Sequence, residues 1–380
     1  MRPLSRASIV TVAAAALCAS LAPAGRAAGQ AAATAPAAQI HVQPLQGNIY
    51  MLVGGGANVL ASVGPDGILM VDTGSVEAAD RVKLAALQLA TLVSASAQPN
   101  RCLGQHCPRT PFGWVSPELD AIIDSPAPPK PVRFIINTNV DPDHVGGNEK
   151  LSALPKNSKL VGVTFPPVSV APSAQIIAHE NVLNRMSEPA KGEPQYGSDA
   201  LPTVTFHGKD YKLSQFFNGE GVIMYSEPAA HSDGDIIVFF RYSDVIAAGD
   251  ILNTETYPVI DLAKGGSMQG ILDGLNHILD LAIPEFRSQG GTLVIPGHGR
   301  ICDTGDVANY RNMIAIIRDR IADMITRGLT LEQVEAAHPT LEYDGLYGST
   351  SGPWTTAKFV EAAYRSLSPK PAPGSAQTKH

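Results

Sequence analysis

The sequence lacks the motifs of several common enzyme classes. It contains no glycine-rich phosphate-binding loop and no Gly-x-Ser-x-Gly elbow, which excludes nucleotide binding and serine hydrolysis of the usual kinds. It also lacks an excess of basic residues: the formal charge of the 380 residues is −7 at pH 7. An acidic protein is a poor partner for nucleic acid or for an anionic membrane surface, so we expect a small-molecule substrate and no nucleic acid.

The sequence also lacks a long apolar run, and its start has the layout of a secretory signal peptide. Arg2 and Arg6 precede an apolar run at 9–21, and small residues follow up to residue 28. The run is short for a membrane-spanning helix, although an uncleaved anchor is the alternative. We therefore expect a signal peptide at 1–28, a periplasmic or secreted mature protein, and no stable membrane insertion after cleavage.

Cysteine is scarce, with 4 in the chain. Cys18 would leave with the signal peptide. Cys102 and Cys107 stand close together in a segment rich in proline, serine and glycine. In an oxidising compartment this proximity predicts a local disulfide. Cys302 has no partner left, and we expect it to be a small buried apolar residue.

Composition divides the rest of the chain. Residues 29–40 are almost entirely small or polar, which predicts a flexible lead-in. A main domain follows at 41–303, with an insertion at about 94–131. Apolar residues at helical spacing predict a C-terminal helical extension of the same domain at 304–368, and a disordered tail at 369–380.

Residue preferences and turn signals predict the secondary structure. Strands are predicted at about 48–53, 58–63, 68–72, 132–136, 160–164, 204–206, 221–225, 235–240, 244–248 and 292–295. Helices are predicted at about 76–92, 149–154, 174–186, 268–281, 306–327 and 355–367. This order indicates a layered fold of mixed strands and helices, without selecting among such folds.

The most informative segment is 137–148, which reads NTNVDPDHVGGN and directly follows the predicted strand at 132–136. It resembles the metallo-β-lactamase superfamily signature His-x-His-x-Asp-His followed by Gly-Gly. Asp143 and His144 match the signature, whereas Asn139 and Asp141 occupy the two positions that are normally histidine. One half of a dinuclear metal site is therefore intact, and the other half is altered.

Four further positions continue the resemblance in the expected order, over roughly residues 40–303. Asp72 lies in a segment similar to the family's early Asp-x-Gly turn, whose aspartate usually supports the site. His231 is in the position of the third histidine of the first metal site, Asp250 in that of the bridging carboxylate, and His298 in that of the final histidine. The resemblance implies an α+β fold, a four-layer αββα sandwich.

Histidine and carboxylate ligands suit zinc, iron or manganese, and a hydrolytic metal needs about three of them. We expect Asp143, His144, Asp250 and His298 to form the occupied site, with one zinc ion. Iron or manganese are the alternatives.

The altered half of the signature leaves two interpretations open. In the first, which we favour, a single ion binds, and Asp141 and His231 serve as base or proton shuttle. In the second, Asp141, His231 and Asp250 hold another ion, such as iron or manganese. Mononuclear carbapenem-hydrolysing β-lactamases also carry asparagine at the position of Asn139. They have cysteine at the position of Asp250, however, so a lactam substrate does not follow.

The resemblance implies an exported metal-dependent hydrolase that uses a metal-activated water on an ester, amide, lactam or phosphoester. Asp143 would orient the water, and Asp141 or His231 would handle the proton. The alternative is a degenerate member of the superfamily that binds a small ligand or partner without turnover.

Overall fold

A computed structural model describes residues 39–96, 131–153, 174–283 and 290–369. The predicted signal peptide, the Cys102–Cys107 disulfide and the strand at 160–164 lie outside the described residues. So do most of the predicted lead-in, insertion and tail. Cys302 is free and buried, as expected.

The described strands form two mixed sheets. They are β1 (His41–Pro44), β2 (Ile49–Val53), β3 (Val59–Gly64), β4 (Gly67–Val71), β5 (Val132–Ile136), β6 (Gln175–His179), β7 (Val204–Phe206), β8 (Asp210–Lys212), β9 (Val222–Ser226), β10 (Ile236–Phe240), β11 (Val245–Asn253) and β12 (Leu293–His298). The seven-stranded sheet has the order β1-β2-β3-β4-β5-β6-β7, and the five-stranded sheet has the order β12-β11-β10-β9-β8.

The described helices lie before, between and after these strands. They are α1 (Ala79–Ser96), α2 (Pro142–Val145), α3 (Asn148–Ser152), α4 (Glu180–Ser187), α5 (Met268–Leu281), α6 (Thr304–Thr326), α7 (Leu331–Ala336), α8 (Asp344–Tyr347) and α9 (Thr356–Leu367). Within the described parts of the chain, no helix combines the length and the apolar character needed to cross a bilayer.

Three apolar clusters define the layers. One lies between the two sheets and includes Leu69 of the first sheet and Val238 of the second. A second cluster joins the five-stranded sheet to α5, α6 and α9, through residues such as Leu275 and Phe359. A third packs α1 against the seven-stranded sheet, through residues such as Val82. Helix, sheet, sheet and helix therefore stack in that order, which confirms the α+β, four-layer αββα sandwich.

Parallel pairing brings the polar motifs to the same edge of the fold. β4 pairs with β5, and β11 pairs with β12, in parallel. The carboxyl ends of parallel neighbours lie at one edge of a sheet. Asp72 directly follows β4, the motif segment follows β5, and His298 ends β12. Backbone hydrogen bonds from Ile236 to Thr138 and from Asn58 to Gly297 join the two sheets at this edge.

The predicted helix at 174–186 is wrong in its first half. Residues 175–179 form β6, and α4 begins only at Glu180. Ile176, Ile177 and Ala178 are buried, because β6 lies between β5 and β7 with both faces covered. Such a strand has a continuous apolar sequence, and periodicity cannot distinguish it from a buried helix.

The predicted strand at 244–248 is too short, since β11 continues to Asn253. Its pairing with β12 shifts register on either side of Gly249 and before Asn253. Irregularities of this kind are common beside active sites, where they redirect a side chain. Here the irregular stretch contains Asp250.

Helix α5 approaches the segment before His231 unusually closely. A Cβ built on Gly270 would lie 1.7 Å from the backbone oxygen of Ala229. Gly270→Ala should therefore lower the free energy of unfolding by roughly 1–3 kcal/mol, the usual range for overpacking. Urea denaturation measures it. Gly345→Ala in α8, where an added Cβ meets nothing within 4 Å, is the matched control and should not be destabilised. Equal midpoints for Gly270→Ala and the wild type would contradict the prediction.

Candidate metal centre

The six predicted ligands meet at the common edge of the two sheets. They form two groups, within each of which the candidate ligand atoms all lie within 4.8 Å of one another: Asp143, His144 and His298; and Asp141, His231 and Asp250. Both expected halves of the centre are therefore present as clusters, although their members come from four separate parts of the chain.

A short helix arranges the motif residues. Asp141 precedes α2 and has an extended backbone, and Pro142 is the first residue of α2. Proline is suited to the first helical position because its fixed φ matches the helix and no N–H partner is needed there. The single turn buries His144 and leaves Asp143 partly exposed, which places one ligand inside the protein and one at its surface.

Asp72 fixes the orientation of His144. Its Oδ2 atom lies 2.8 Å from His144 Nδ1 and accepts a hydrogen bond from the hydroxyl of Thr138 at 2.7 Å. Its Oδ1 atom accepts one from the backbone N–H of Thr138 at 2.8 Å. The backbone of Asp72 is in the left-handed region, with φ of 62°, which is uncommon for residues other than glycine. Because Nδ1 faces a carboxylate, it holds the proton, and Nε2 is the nitrogen free to bind a metal.

Asp250 lies between the two groups. One of its oxygens is 3.1 Å from His144 Nε2, and the other is 3.6 Å from His298 Nε2. Asn139 donates a hydrogen bond to the Oδ2 atom of Asp250 at 3.0 Å. Gly297 makes room for this carboxylate, since a Cβ there would lie 2.2 Å from Asp250 Oδ1. Asp250 is therefore close to members of both groups, where the resemblance implies a shared carboxylate.

Two buried polar atoms at the centre have no hydrogen-bond partner among the described residues: His144 Nε2 and Asp250 Oδ1. Leaving such an atom unpaired costs about 1–3 kcal/mol, so native structures usually satisfy it. Asp143 and His298 lie next to these atoms, with His298 Nε2 3.2 Å from Asp143 Oδ2. Two imidazoles and two carboxylates that converge in this way fit a divalent transition metal.

The pKa shifts of Asp250 and His144 also indicate a site that attracts a cation. Burial raises the pKa of Asp250, but the charges of His144, His231 and His298 lower it more, and the net shift is downward. Burial lowers the pKa of His144, but Asp250 and Asp72 outweigh it and raise that pKa well above its ordinary value. The buried carboxylates therefore attract positive charge strongly, which a metal ion would supply.

The second group already contains positive charge. His231 Nε2 lies 3.2 Å from Asp141 Oδ2, and its Nδ1 lies 3.0 Å from the backbone oxygen of Val259. Both ring nitrogens face acceptors, which favours the imidazolium. Burial lowers the pKa of His231, but the hydrogen bond with Asp141 and the charges of Asp235 and Asp250 raise it to about 10.

Lys264 is a member of this group that the sequence reasoning missed. Its ammonium lies 3.1 Å from Asp141 Oδ1. Burial raises the pKa of Asp141, but His231 and Lys264 lower it to about 2. No motif marks this lysine, because its approach to Asp141 depends on how distant loops fold together. Asn139 was recognised only as the replacement of a histidine, and its hydrogen bond to Asp250 is likewise a tertiary contact.

Tyr196 was also missed, and it lies beside the centre. It lines a cavity of about 180 Å³ together with Lys264, Arg185 and Pro142. Its hydroxyl is buried without a hydrogen-bond partner among the described residues. Burial and the charge of Asp141 raise the pKa of Tyr196 to about 12, so this hydroxyl is a proton donor at neutral pH.

Comparison with known proteins gives one family match, to the metallo-beta-lactamase superfamily over residues 42–298. No curated protein matches the sequence. Among solved structures, a double mutant of the sec-alkyl sulfatase PisA1 has 12% sequence identity and a TM-score of 0.52, covering 86% of this chain and 50% of that one. The chain thus spans half the length of that sulfatase. At this identity the likeness shows the fold alone.

Two metallo-beta-lactamases are also similar. DIM-1 has 13% identity and a TM-score of 0.45, covering 73% of this chain and 97% of that one. The enzyme from Pontibacter korlensis has 14% identity and a TM-score of 0.43, covering 73% of this chain and 99% of that one.

Asp72→Asn should weaken metal binding by about 10- to 100-fold, the usual effect of removing a carboxylate that orients a metal-binding histidine. The reason is that a neutral amide no longer holds the His144 Nδ1 proton. Competition with a chromophoric zinc chelator measures the affinity. Asp210→Asn, at an exposed aspartate of β8, is the control and should bind zinc as the wild type does. Equal affinities for the two variants would show that Asp72 does not support the centre.

Proposed function

Because the chain belongs to the metallo-beta-lactamase superfamily, we propose that it is a metal-dependent hydrolase whose metal binds at Asp143, His144, Asp250 and His298. Superfamily members are typically hydrolases of this kind, and the four side chains are a suitable donor set. A degenerate binding protein without turnover is the alternative interpretation of the sequence.

One observation carries the proposal: the buried atoms His144 Nε2 and Asp250 Oδ1 make no hydrogen bond within the described structure, although Asp250 Oδ2 lies 3.1 Å from His144 Nε2, and they lie beside Asp143 and His298. A protein that had lost its metal would gain stability by pairing or removing such atoms. The network around Asp72 instead keeps His144 Nε2 directed at Asp250.

The chemistry that a bound divalent metal supplies is Lewis acidity, which brings the pKa of water from ~16 toward ~7 and polarises the scissile group. Asp143 and His298 are on the accessible side of the centre, with side chains 33% and 28% exposed. The deeper His144 is fully buried and only binds. Asp143 is therefore the carboxylate placed to accept a hydrogen bond from an incoming water and to orient it.

His231 and Asp141 are the groups that we assign to the proton. His231 Nε2 holds a proton toward Asp141 Oδ2 at 3.2 Å, and Val259 fixes the other side of the ring. An imidazolium so placed has the chemistry to donate a proton to a leaving group. Tyr196 is a second donor on the same side, because its hydroxyl has no other partner among the described residues.

We propose a small ester, amide, lactam or phosphoester as the substrate, because the cavity beside Lys264 and Tyr196 measures about 180 Å³. Zinc is the metal that we propose, since imidazole and carboxylate ligands suit it. We also propose export to the periplasm or the medium, on the strength of the sequence at 1–28.

Metal content and turnover test the proposal together. Protein purified without added metal should contain about one equivalent of transition metal and should hydrolyse at least one class in a screen of lactams, lactones, thioesters and phosphoesters. His298→Ala should lose both the metal and the activity, because it removes an imidazole ligand. Inductively coupled plasma mass spectrometry measures the metal, and initial rates measure the turnover.

His207→Ala is the matched control, since that histidine side chain is 86% exposed and lies outside the centre. It should keep metal and activity at the wild-type level. Asp143→Ala should behave like His298→Ala. Full metal content and activity in both variants would show that the assignment is wrong, and metal-free wild-type protein without turnover would favour the degenerate binder.

A further inference from the structure

We propose that the ammonium of Lys264 takes the place of a second metal ion in the group formed by Asp141, His231 and Asp250, so that the centre binds a single ion. This inference rests on the proposed function, since it presumes that the first group binds a metal. A single ion is the first of the two interpretations that the altered signature left open.

Both oxygens of Asp141 already have cationic or proton-donating partners. Lys264 Nζ lies 3.1 Å from Oδ1, and His231 Nε2 lies 3.2 Å from Oδ2. The other nitrogen of His231 faces the backbone oxygen of Val259. Two buried ligand atoms of the centre make no hydrogen bond among the described residues. His144 Nε2 belongs to the first group, and Asp250 Oδ1, although Asp250 is a member of the second group, lies 3.6 Å from His298 Nε2 of the first. The need for a cation therefore differs between two groups that share one edge of the fold.

Asn139 reinforces the difference. It occupies the first histidine position of the signature, yet its side-chain N–H donates to Asp250 Oδ2 at 3.0 Å. Its carbonyl oxygen accepts from the backbone N–H of Asp141 at 2.8 Å. Because both ends of the amide make hydrogen bonds within the protein, Asn139 is a poor metal ligand. The second group is left with one imidazole, where the signature would provide three.

The position of Lys264 is built into the fold. Its backbone oxygen accepts hydrogen bonds from Asp233 N at 2.9 Å and from Arg185 at 3.1 Å. Its backbone nitrogen donates to Asp261, which also pairs with the ammonium at 2.9 Å. The side chain is 16% exposed, and Glu193 is a third acidic neighbour at 3.7 Å. A lysine held in this way is a fixed positive charge at Asp141.

Electrostatic repulsion opposes the binding of a divalent metal ion at Asp141 while the Lys264 ammonium is there. A divalent ion bound by Asp141 would share that carboxylate with the ammonium, and like charges about 4 Å apart repel strongly even at an effective dielectric constant of ~20. The lysine ammonium supplies positive charge to Asp141 without requiring further metal ligands. The substitution of Asp141 for histidine fits this arrangement, because a carboxylate pairs with ammonium and imidazole does not.

The test is the zinc stoichiometry of apo-protein reloaded with excess zinc and desalted, with isothermal titration calorimetry as the second readout. Wild type should bind one equivalent of zinc, and Lys264→Met should bind two, because the repelling charge is gone. In the calorimetric titration, the affinity for the second zinc should be at least about 100-fold higher in Lys264→Met than in wild type. Lys264→Arg keeps the charge and should bind one. Lys212→Met, at a lysine side chain 67% exposed, is the matched control and should also bind one.

Asn139→His gives an independent check if Lys264→Met does not fold. It adds an imidazole while Lys264 remains, and it should still bind one equivalent. Two equivalents in the wild type or in Asn139→His, or one in a folded Lys264→Met, would overturn the inference while leaving the proposed function intact. Wild type that binds no zinc would instead overturn the proposed function.

Discussion

The rest of the structure depends on one electrostatic constraint, the concentration of negative charge at the edge where the two sheets meet. Asp72, Asp141, Asp143 and Asp250 all reach this edge, and Asp72 and Asp250 are buried. Buried carboxylates are stable only when hydrogen-bonded and matched by positive charge. Neighbouring groups supply part of this hydrogen bonding and charge: the hydroxyl of Thr138 and the ring of His144 both contact Asp72.

The two groups of side chains at this edge balance the negative charge in different ways. On the side of Asp143 and His298, imidazole and carboxylate atoms converge and include buried atoms without partners, as an ion site requires. On the side of Asp141, an imidazolium and an ammonium are already in contact with the carboxylate. A site suited to a metal ion therefore lies next to a group whose carboxylate charge is already balanced by cations. Asp250 lies between the two, in contact with His144 and Asn139.

Much of this could be predicted from the sequence. The strand at 132–136 and the helix Met268–Leu281 agree with their predicted bounds. Asp143, His144, His231, Asp250 and His298 were recognised from their order and their neighbouring residues, and they do come together. The first half of the predicted helix at 174–186 failed because a strand buried on both faces has the same apolar sequence as a buried helix segment. β1 and β8 were missed because short, exposed edge strands have weak patterns.

The sequence by itself determined the family, the layered fold and the candidate metal ligands that the fold brings together, because these depend on local patterns and on motifs with fixed spacing. Only the tertiary structure decided which atoms remain without partners and which acids are already neutralised. Lys264 lies 123 residues from Asp141 in the chain, and no local pattern encodes that contact. Charge balance in a buried site is set by distances between atoms, and those distances exist only after the two sheets have packed together.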